Sequence, residues 1–416
     1  VPVITLCLCF LAFMVLTRGK APGDDLSSSY IAGRLIGTER EAHLYSHDPE
    51  FYHIVDDPVL NEVVRESRFA GFLHPYVQTP LWALFLRPLC TITDFPEFNL
   101  IFLILNISAV IGMVLLTAEM WAPLFRKPLW LAGCLIVLPF MEPLRYTVFL
   151  NQTHPIFLFM TLLAVFLARK ERYILAGLVL ALAAAVKITP GLIVLYWLLT
   201  KRYRASLSFF GWSVLLVLAT ILLTGLDTSL AYFAEIRRIS SVLLTAYNNQ
   251  SLAAFISDLS AGARVDLFSW RMYSLSLEVK AVSTGAILLT IATLAHMRRK
   301  LRGATEEYDS IAVCAVLVAM TVFTPIAWSH YFIILIIPLM VLTNRAMETR
   351  SYMLLPAVIL VAILNIYPVA MSSGLAGADS CLLVRSQFAA GIILLAVLLR
   401  EAYTLAVDET AVSLNS

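Results

Sequence analysis

Two carboxylates, in Gly23-Asp24-Asp25, stand where the first apolar run (residues 1–17) gives way to a polar loop reaching about Thr79. A carboxylate at the lip of a bilayer is costly to keep ionised unless it is used, and a positioned one can take the proton of a hydroxyl. Groups of complementary type recur further on, in Arg145, Asn151-Gln152-Thr153-His154, Lys187, Asn248-Asn249-Gln250-Ser251 and Trp328-Ser329-His330-Tyr331. Together they suit a displacement in which a hydroxyl loses its proton and an anion departs. Asp25 is then the base, and Lys187, Arg145 and His330 are the candidates to hold the anion. Each has a plainer reading beside it. Asp25 can be a helix cap, Lys187 a snorkelling lysine, Arg145 an ordinary helix-end residue and His330 a member of an aromatic belt.

The elements that must position these residues are membrane helices. Of the 416 residues 60% are hydrophobic and 14% charged, and the mean hydropathy is +0.83. Apolar runs of crossing length recur throughout. The class is a polytopic all-α membrane protein, and a net charge of +2 offers nothing to nucleic acid. The six cysteines form no C-x-x-C, and no His/Cys spacing suggests a metal. The first run is read as a retained helix, because Arg18 and Lys20 follow it and no small-x-small cleavage site is evident.

Candidate spans are 98–120, 128–146, 154–169, 173–187, 189–200, 205–225, 277–297, 308–326, 330–344, 352–371 and 384–400, about twelve with the first. The 80–92 stretch is proline-bounded and too short to cross, so it is expected to lie in the interface. Lys187-Ile188-Thr189-Pro190 should break the long 173–200 run into a hairpin. Short loops carrying Arg126-Lys127, Arg169-Lys170, Lys201-Arg202, Arg298-Arg299-Lys300 and Arg345 fall on one side, the cytoplasmic one by the positive-inside rule. Two longer loops, 20–79 and 226–276, and the turns at Asn151, Lys187 and His330 then face outward, as do Arg18 and Lys20 against the trend. The chain reads as a single membrane domain (1–416) with two external elaborations.

A polar site gathered at one interface suits chemistry on a lipid head group better than a midplane transport pathway. A transferase using a lipid-carried sugar phosphate needs a base, donors for the departing phosphate and an intramembrane groove for the lipid tail. The segment Asp25-Leu26-Ser27-Ser28-Ser29-Tyr30-Ile31-Ala32 resembles the start of the first external loop in glycosyltransferase family 87. Further matches follow in order: Pro80-Leu81 to Pro88-Leu89, Asn151-Gln152, Leu175-Ala176-Gly177 running to Lys187-Ile188-Thr189-Pro190, Asn249-Gln250-Ser251-Leu252 and His330-Tyr331. The likeness spans about residues 20–345. Gln78-Thr79-Pro80 departs from the aromatic-Pro-Pro common there, which puts substrate preference in question.

The resemblance implies a GT-C bundle of about twelve helices, with interfacial helices in the first external loop. It implies a polyprenyl-phosphate sugar donor, mannose as the sugar, and a glycolipid or glycan hydroxyl as acceptor. Transfer would be a single inverting displacement outside a bacterial cytoplasmic membrane; no cofactor is expected, and a metal is not obligatory because the leaving phosphate brings its own negative charge. Asp25 takes the role of base and His330 that of donor-phosphate ligand. Asp24, Tyr30, His74, Asn151, Gln152, Asn249, Gln250 and Tyr331 are the expected substrate contacts, with Asn151 and Asn249 weighed equally as structural hydrogen-bonders. The first-loop residues His43, His47 and His53 read as surface or packing groups. A lipid or sugar transporter, with Glu142 and Asn106 as its nearest midplane candidates, and a non-catalytic assembly subunit are the alternatives.

Overall fold

The computed structural model describes residues 2–48, 50–52, 55, 57–261, 270–301, 306–366 and 384–415. His53 and the outer end of the 352–371 run lie outside them. Most of the described chain is helical, as apolar backbone removed from water must be to satisfy its own N–H and C=O groups. Among the described residues, five helices are long and apolar enough to cross a membrane: Phe95–Met120, Tyr203–Thr224, Leu277–Lys300, Ser329–Glu348 and Ser386–Val407.

The expected 128–146 span is a broken one. Pro128–Phe140 and Glu142–Leu150 meet at a 63° bend, where Pro139 and Pro143 each remove a backbone donor. Counted as one, the pair brings the total to six, against the twelve that apolar run length suggests. The remaining runs are helices of 10–17 residues, including His154–Arg169, Tyr173–Val186 and Thr189–Leu199. Several of the apolar runs fall short of crossing helix length because they unwind at one end. Lys187 is extended (φ −139°, ψ 117°) after Val186, Asn151 is left-handed after Leu150, and Ser329–Leu335 is wound as a tighter 3-10 helix.

Those unwound ends face the same way. His154–Arg169 runs from the turn at Asn151 to a basic end, Tyr173–Val186 returns to Lys187, and Ser329–Glu348 descends from His330 to Arg345. At the opposite end the basic loops find carboxylates. Asp309 accepts from Arg202 (2.5 Å), Arg298 (3.0 Å) and the Tyr196 hydroxyl (3.1 Å). Arg169 pairs with Glu306 at 2.7 Å, and Arg345 joins Glu401 and Glu307. The bundle thus has a basic end and an end of irregular polar turns.

Over the polar end lies a layer built from both long loops. Asp24–Leu35 packs across Pro80–Ile92, close enough that a Cβ on Gly33 would sit 2.5 Å from the Cys90 sulfur. Pro80–Ile92 buries Trp82, Ala83, Leu86 and Cys90 while exposing Phe85 and Ile92, a one-sided pattern suited to an interface. Pro58–Glu66 is capped by the Asp57 carboxylate, which accepts from the amides of Val59 and Leu60. Burial pushes that carboxyl up, but bonds from Ser46, His43 and the two amides outweigh it and hold Asp57 below the ordinary carboxylate value. Val242–Leu244 and Met272–Ser274 form an antiparallel pair. Phe51 bridges to Arg271 beside that pair, so the two loops are hydrogen-bonded into one layer.

Candidate active site

Between this layer and the bundle is a cavity of about 550 Å³. Its outer wall begins with Asp24, just after Gly23, whose φ of +68° turns the chain into the Asp24–Leu35 helix. A side chain there would meet Asn99 Oδ1 at 2.2 Å, so the glycine is required by both conformation and space. Asn99 donates to the Ala21 carbonyl (2.9 Å) and receives Asn151 Nδ2 on its backbone and side-chain oxygens (2.7 and 2.8 Å). Asn106 donates to Asn151 Oδ1 at 2.9 Å. This amide web ties the Asn151 turn to the start of the Asp24 helix.

The result is that Gln152 and Asp25 meet. Gln152 Nε2 donates to Asp25 Oδ2 at 2.5 Å, and His74 Nε2 lies 3.4 Å from Asp25 Oδ1. The carboxylate is oriented from two sides and still lines the cavity. Asp24 lines it as well, and burial raises its pKa above the ordinary value, with nearby His74 opposing and Asp25 reinforcing the shift.

The inner wall is cationic and aromatic. Lys187 Nζ is 3.1 Å from His154 Nδ1 and 3.2 Å from the centre of the Tyr331 ring, a close cation–π contact. His154 stacks on Tyr331 (4.6 Å, 23°), and His330 stands edge-on to Tyr331 (4.7 Å). With Lys187 as an ammonium, which has only donors, His154 Nδ1 is the acceptor and the ring proton sits on Nε2. That Nε2, and both ring nitrogens of His330, are buried without a hydrogen bond of ordinary geometry, although the Tyr331 backbone lies near the His154 ring. Buried polar atoms are nearly always paired. Two imidazoles with such nitrogens, beside a lysine on one wall of a cavity, form a ready receptor for an anion.

Deeper in, the lining turns apolar: Leu158, Leu317, Met320 and Ile334, with Thr161 and Thr321 among them. Thr161 lies seven residues beyond His154, about 10 Å along the helix. The cavity therefore descends between helices from a polar mouth.

Asp24, Asp25, His74, Gln152, Lys187, His330 and Tyr331 line the cavity. The other expected site residues do not. Arg145 points away and pairs with Glu142 at 3.6 Å, because its helix presents Tyr146 inward instead. The Tyr30 ring is buried against Phe95 and Phe98 and its hydroxyl bonds to Thr93 O. Asn151 is spent on the amide web. Asn249 braces Leu244 O and the Ala327 amide, and Gln250 Nε2 bridges the carbonyls of Tyr247 and Val384. Asn248 lines the cavity in their place and donates to the Tyr146 hydroxyl (3.0 Å).

His154 had no assigned role from sequence. Its position before Pro155 was the available signal, since proline at the first turn fixes a helix start and so sets the imidazole at the rim. Tyr52, Tyr146, Trp270 and Trp328 were also missed as wall residues. Gln78, where the sequence departs from the family pattern, is on the wall too. Among the described residues, no three His, Cys, Asp or Glu side chains converge as a metal-ligand group.

The model of glycosyltransferase family 87 matches residues 76–325. The chain belongs to that family. Two curated relatives are each described as a polyprenol-phosphate-mannose-dependent alpha-(1-2)-phosphatidylinositol mannoside mannosyltransferase. The one from Mycolicibacterium smegmatis is 27% identical over 237 residues, 55% of this chain and 50% of the relative. The one from Mycobacterium tuberculosis is 26% identical over 277 residues, 63% of this chain and 60% of the relative. The chain thus spans between half and three-fifths of these relatives' length.

Proposed function

We propose that this protein is a membrane glycosyltransferase that moves mannose from a polyprenyl-phosphate donor to a hydroxyl of a mannoside glycolipid. The observation that carries the reading is the opposition, across one cavity, of an oriented carboxylate (Asp25) and an anion receptor with unpaired imidazole nitrogens (His154, His330) beside Lys187. The donor phosphate sits on the second wall, its lipid passes down the apolar slot by Leu317, Met320 and Ile334, and the acceptor enters from the Asp25 side. Asp25 takes the acceptor proton as that oxygen bonds to the anomeric carbon. The anomeric C–O bond breaks as the new bond forms, its electron pair leaving with the polyprenyl phosphate, whose charge the lysine and imidazoles hold. Attack opposite the leaving group inverts the anomeric configuration. The basic end of the bundle supports a cytoplasmic side there, and hence an extracytoplasmic site in the cell membrane.

Glu142 and Asn106, named for a transport path, are respectively paired with Arg145 and bonded to Asn151 near the site, which favours the transferase. The test is reconstitution of the protein in liposomes with β-linked polyprenyl-phosphate mannose and a mannoside glycolipid. The expected product carries one additional α-linked mannose. A β-linked product refutes the single displacement, and donor translocation without transfer refutes the enzyme.

A further inference from the structure

The described residues contain one fully buried arginine, Arg385 (0% exposed), which lies beyond the family-matched segment. Its Nε and Nη2 engage both oxygens of Asp258 at 2.7 and 3.0 Å. Its Nη1 donates to the carbonyls of Asn249 (2.5 Å), Ala246 (2.9 Å) and Tyr247 (3.3 Å). A buried ion pair contributes little net stability compared with an apolar pair of similar volume. What the guanidinium does here is gather carbonyls of a non-helical segment that a lysine or an apolar residue cannot serve.

The gripped segment leads directly to the anion receptor. Asn249 forms an antiparallel bridge with Trp328. The Ser329 amide donates to Asn248 O (2.8 Å) and the Gln250 amide to Ala327 O (2.6 Å), while the Ala327 amide donates to Asn249 Oδ1 (3.0 Å). Gln250 Nε2 closes the arrangement on Val384 O, next to Arg385 (2.9 Å). Residues 384–385, 246–250 and 327–329 are therefore three hydrogen-bonded layers. The third layer continues without interruption into His330 and Tyr331, and the middle one presents Asn248 to the cavity.

We infer that the Arg385–Asp258 pair is a positioning device for the phosphate wall: it fixes the 246–250 segment, which sets where His330 and Asn248 stand. This rests on reading that wall as the donor-phosphate site. The site's ligands are on other elements, so the pair acts only through them.

The experiment uses the full chain in lipid nanodiscs, as wild type, Arg385→Lys and the apolar double variant Arg385→Met/Asp258→Leu. Two readouts are taken: thermal stabilisation by added polyprenyl phosphate, and the separate KM values for donor and acceptor. The expected result is a roughly tenfold or larger rise in donor KM, a matching loss of stabilisation by polyprenyl phosphate, and an unchanged acceptor KM. Arg385→Lys, which keeps the charge but not the fork, should show the same split even where the double variant does not fold. Variants that bind polyprenyl phosphate and donor as wild type overturn the inference and leave the pair a structural staple. A wild type that polyprenyl phosphate does not stabilise overturns the phosphate-site reading instead.

Discussion

His154 offers the sharpest perturbation, because its two nitrogens have different jobs. With Lys187 as an ammonium, Nδ1 accepts from it at 3.1 Å, and Nε2, which then carries the proton, has no hydrogen bond of ordinary geometry. Asparagine places an amide near the Nδ1 position, whereas glutamine reaches toward Nε2. His154→Asn therefore keeps an acceptor for Lys187 and deletes the free donor, and His154→Gln does the reverse. A hydrogen bond to a charged group is worth about 1.5–3 kcal/mol, which corresponds to roughly a tenfold to hundredfold change. Loss of the Nε2 donor should lower kcat/KM for the donor by that factor, while His154→Gln should keep most of the activity. The assay is initial-rate transfer from labelled polyprenyl-phosphate mannose in detergent, normalised to folded protein by size-exclusion profile. If His154→Asn transfers at the wild-type rate, Nε2 does not meet the phosphate and the argument from unpaired nitrogens fails.

Three further expectations concern the scaffold. Gly23→Ala should cost about 1–3 kcal/mol through the left-handed backbone alone, plus a clash with Asn99, and should reduce both melting temperature and transfer. Asn151→Ala should destabilise by about 1–3 kcal/mol by stranding the side chains of Asn99 and Asn106, and Asn151→Gly, which keeps the left-handed φ of 50°, should not restore it because the lost bonds are those of the side chain. Asp57, held below the ordinary carboxylate value, stabilises the Pro58–Glu66 cap fully above that ordinary value, about 4, and loses the contribution as pH falls through its lowered value. Hydrogen-exchange protection of the Val59 and Leu60 amides, corrected for intrinsic rates, should fall in that range, and Asp57→Ala should remove the dependence at a cost of about 1 kcal/mol.

Asp25, Lys187 and His330 were legible because a charged or titratable group at a membrane rim has few uses. Their meeting across one cavity follows from helix direction: each closes or opens a helix at the same end of the bundle. Tyr30, Asn151, Asn249 and Gln250 are of equally suggestive types, yet they serve buried backbone and each other. Sequence cannot separate a polar residue that lines a cavity from one that satisfies a carbonyl behind it, since both are required where backbone leaves the helix. Arg145 and Tyr146 are adjacent, and which of them faces inward depends on the 63° bend before them, a tertiary feature. The Arg385–Asp258 pair joins residues 127 apart with no local pattern to mark either. Apolar length likewise recorded where lipid can be, not where a helix unwinds to build a turn.

The most direct measurement compares donor binding with turnover in Asp25→Asn and His330→Ala. Asp25→Asn is expected to bind polyprenyl-phosphate mannose as wild type does and to transfer at least about a hundredfold more slowly, whereas His330→Ala should lose donor affinity. Wild-type turnover by Asp25→Asn, with the protein folded and donor saturating, contradicts the account.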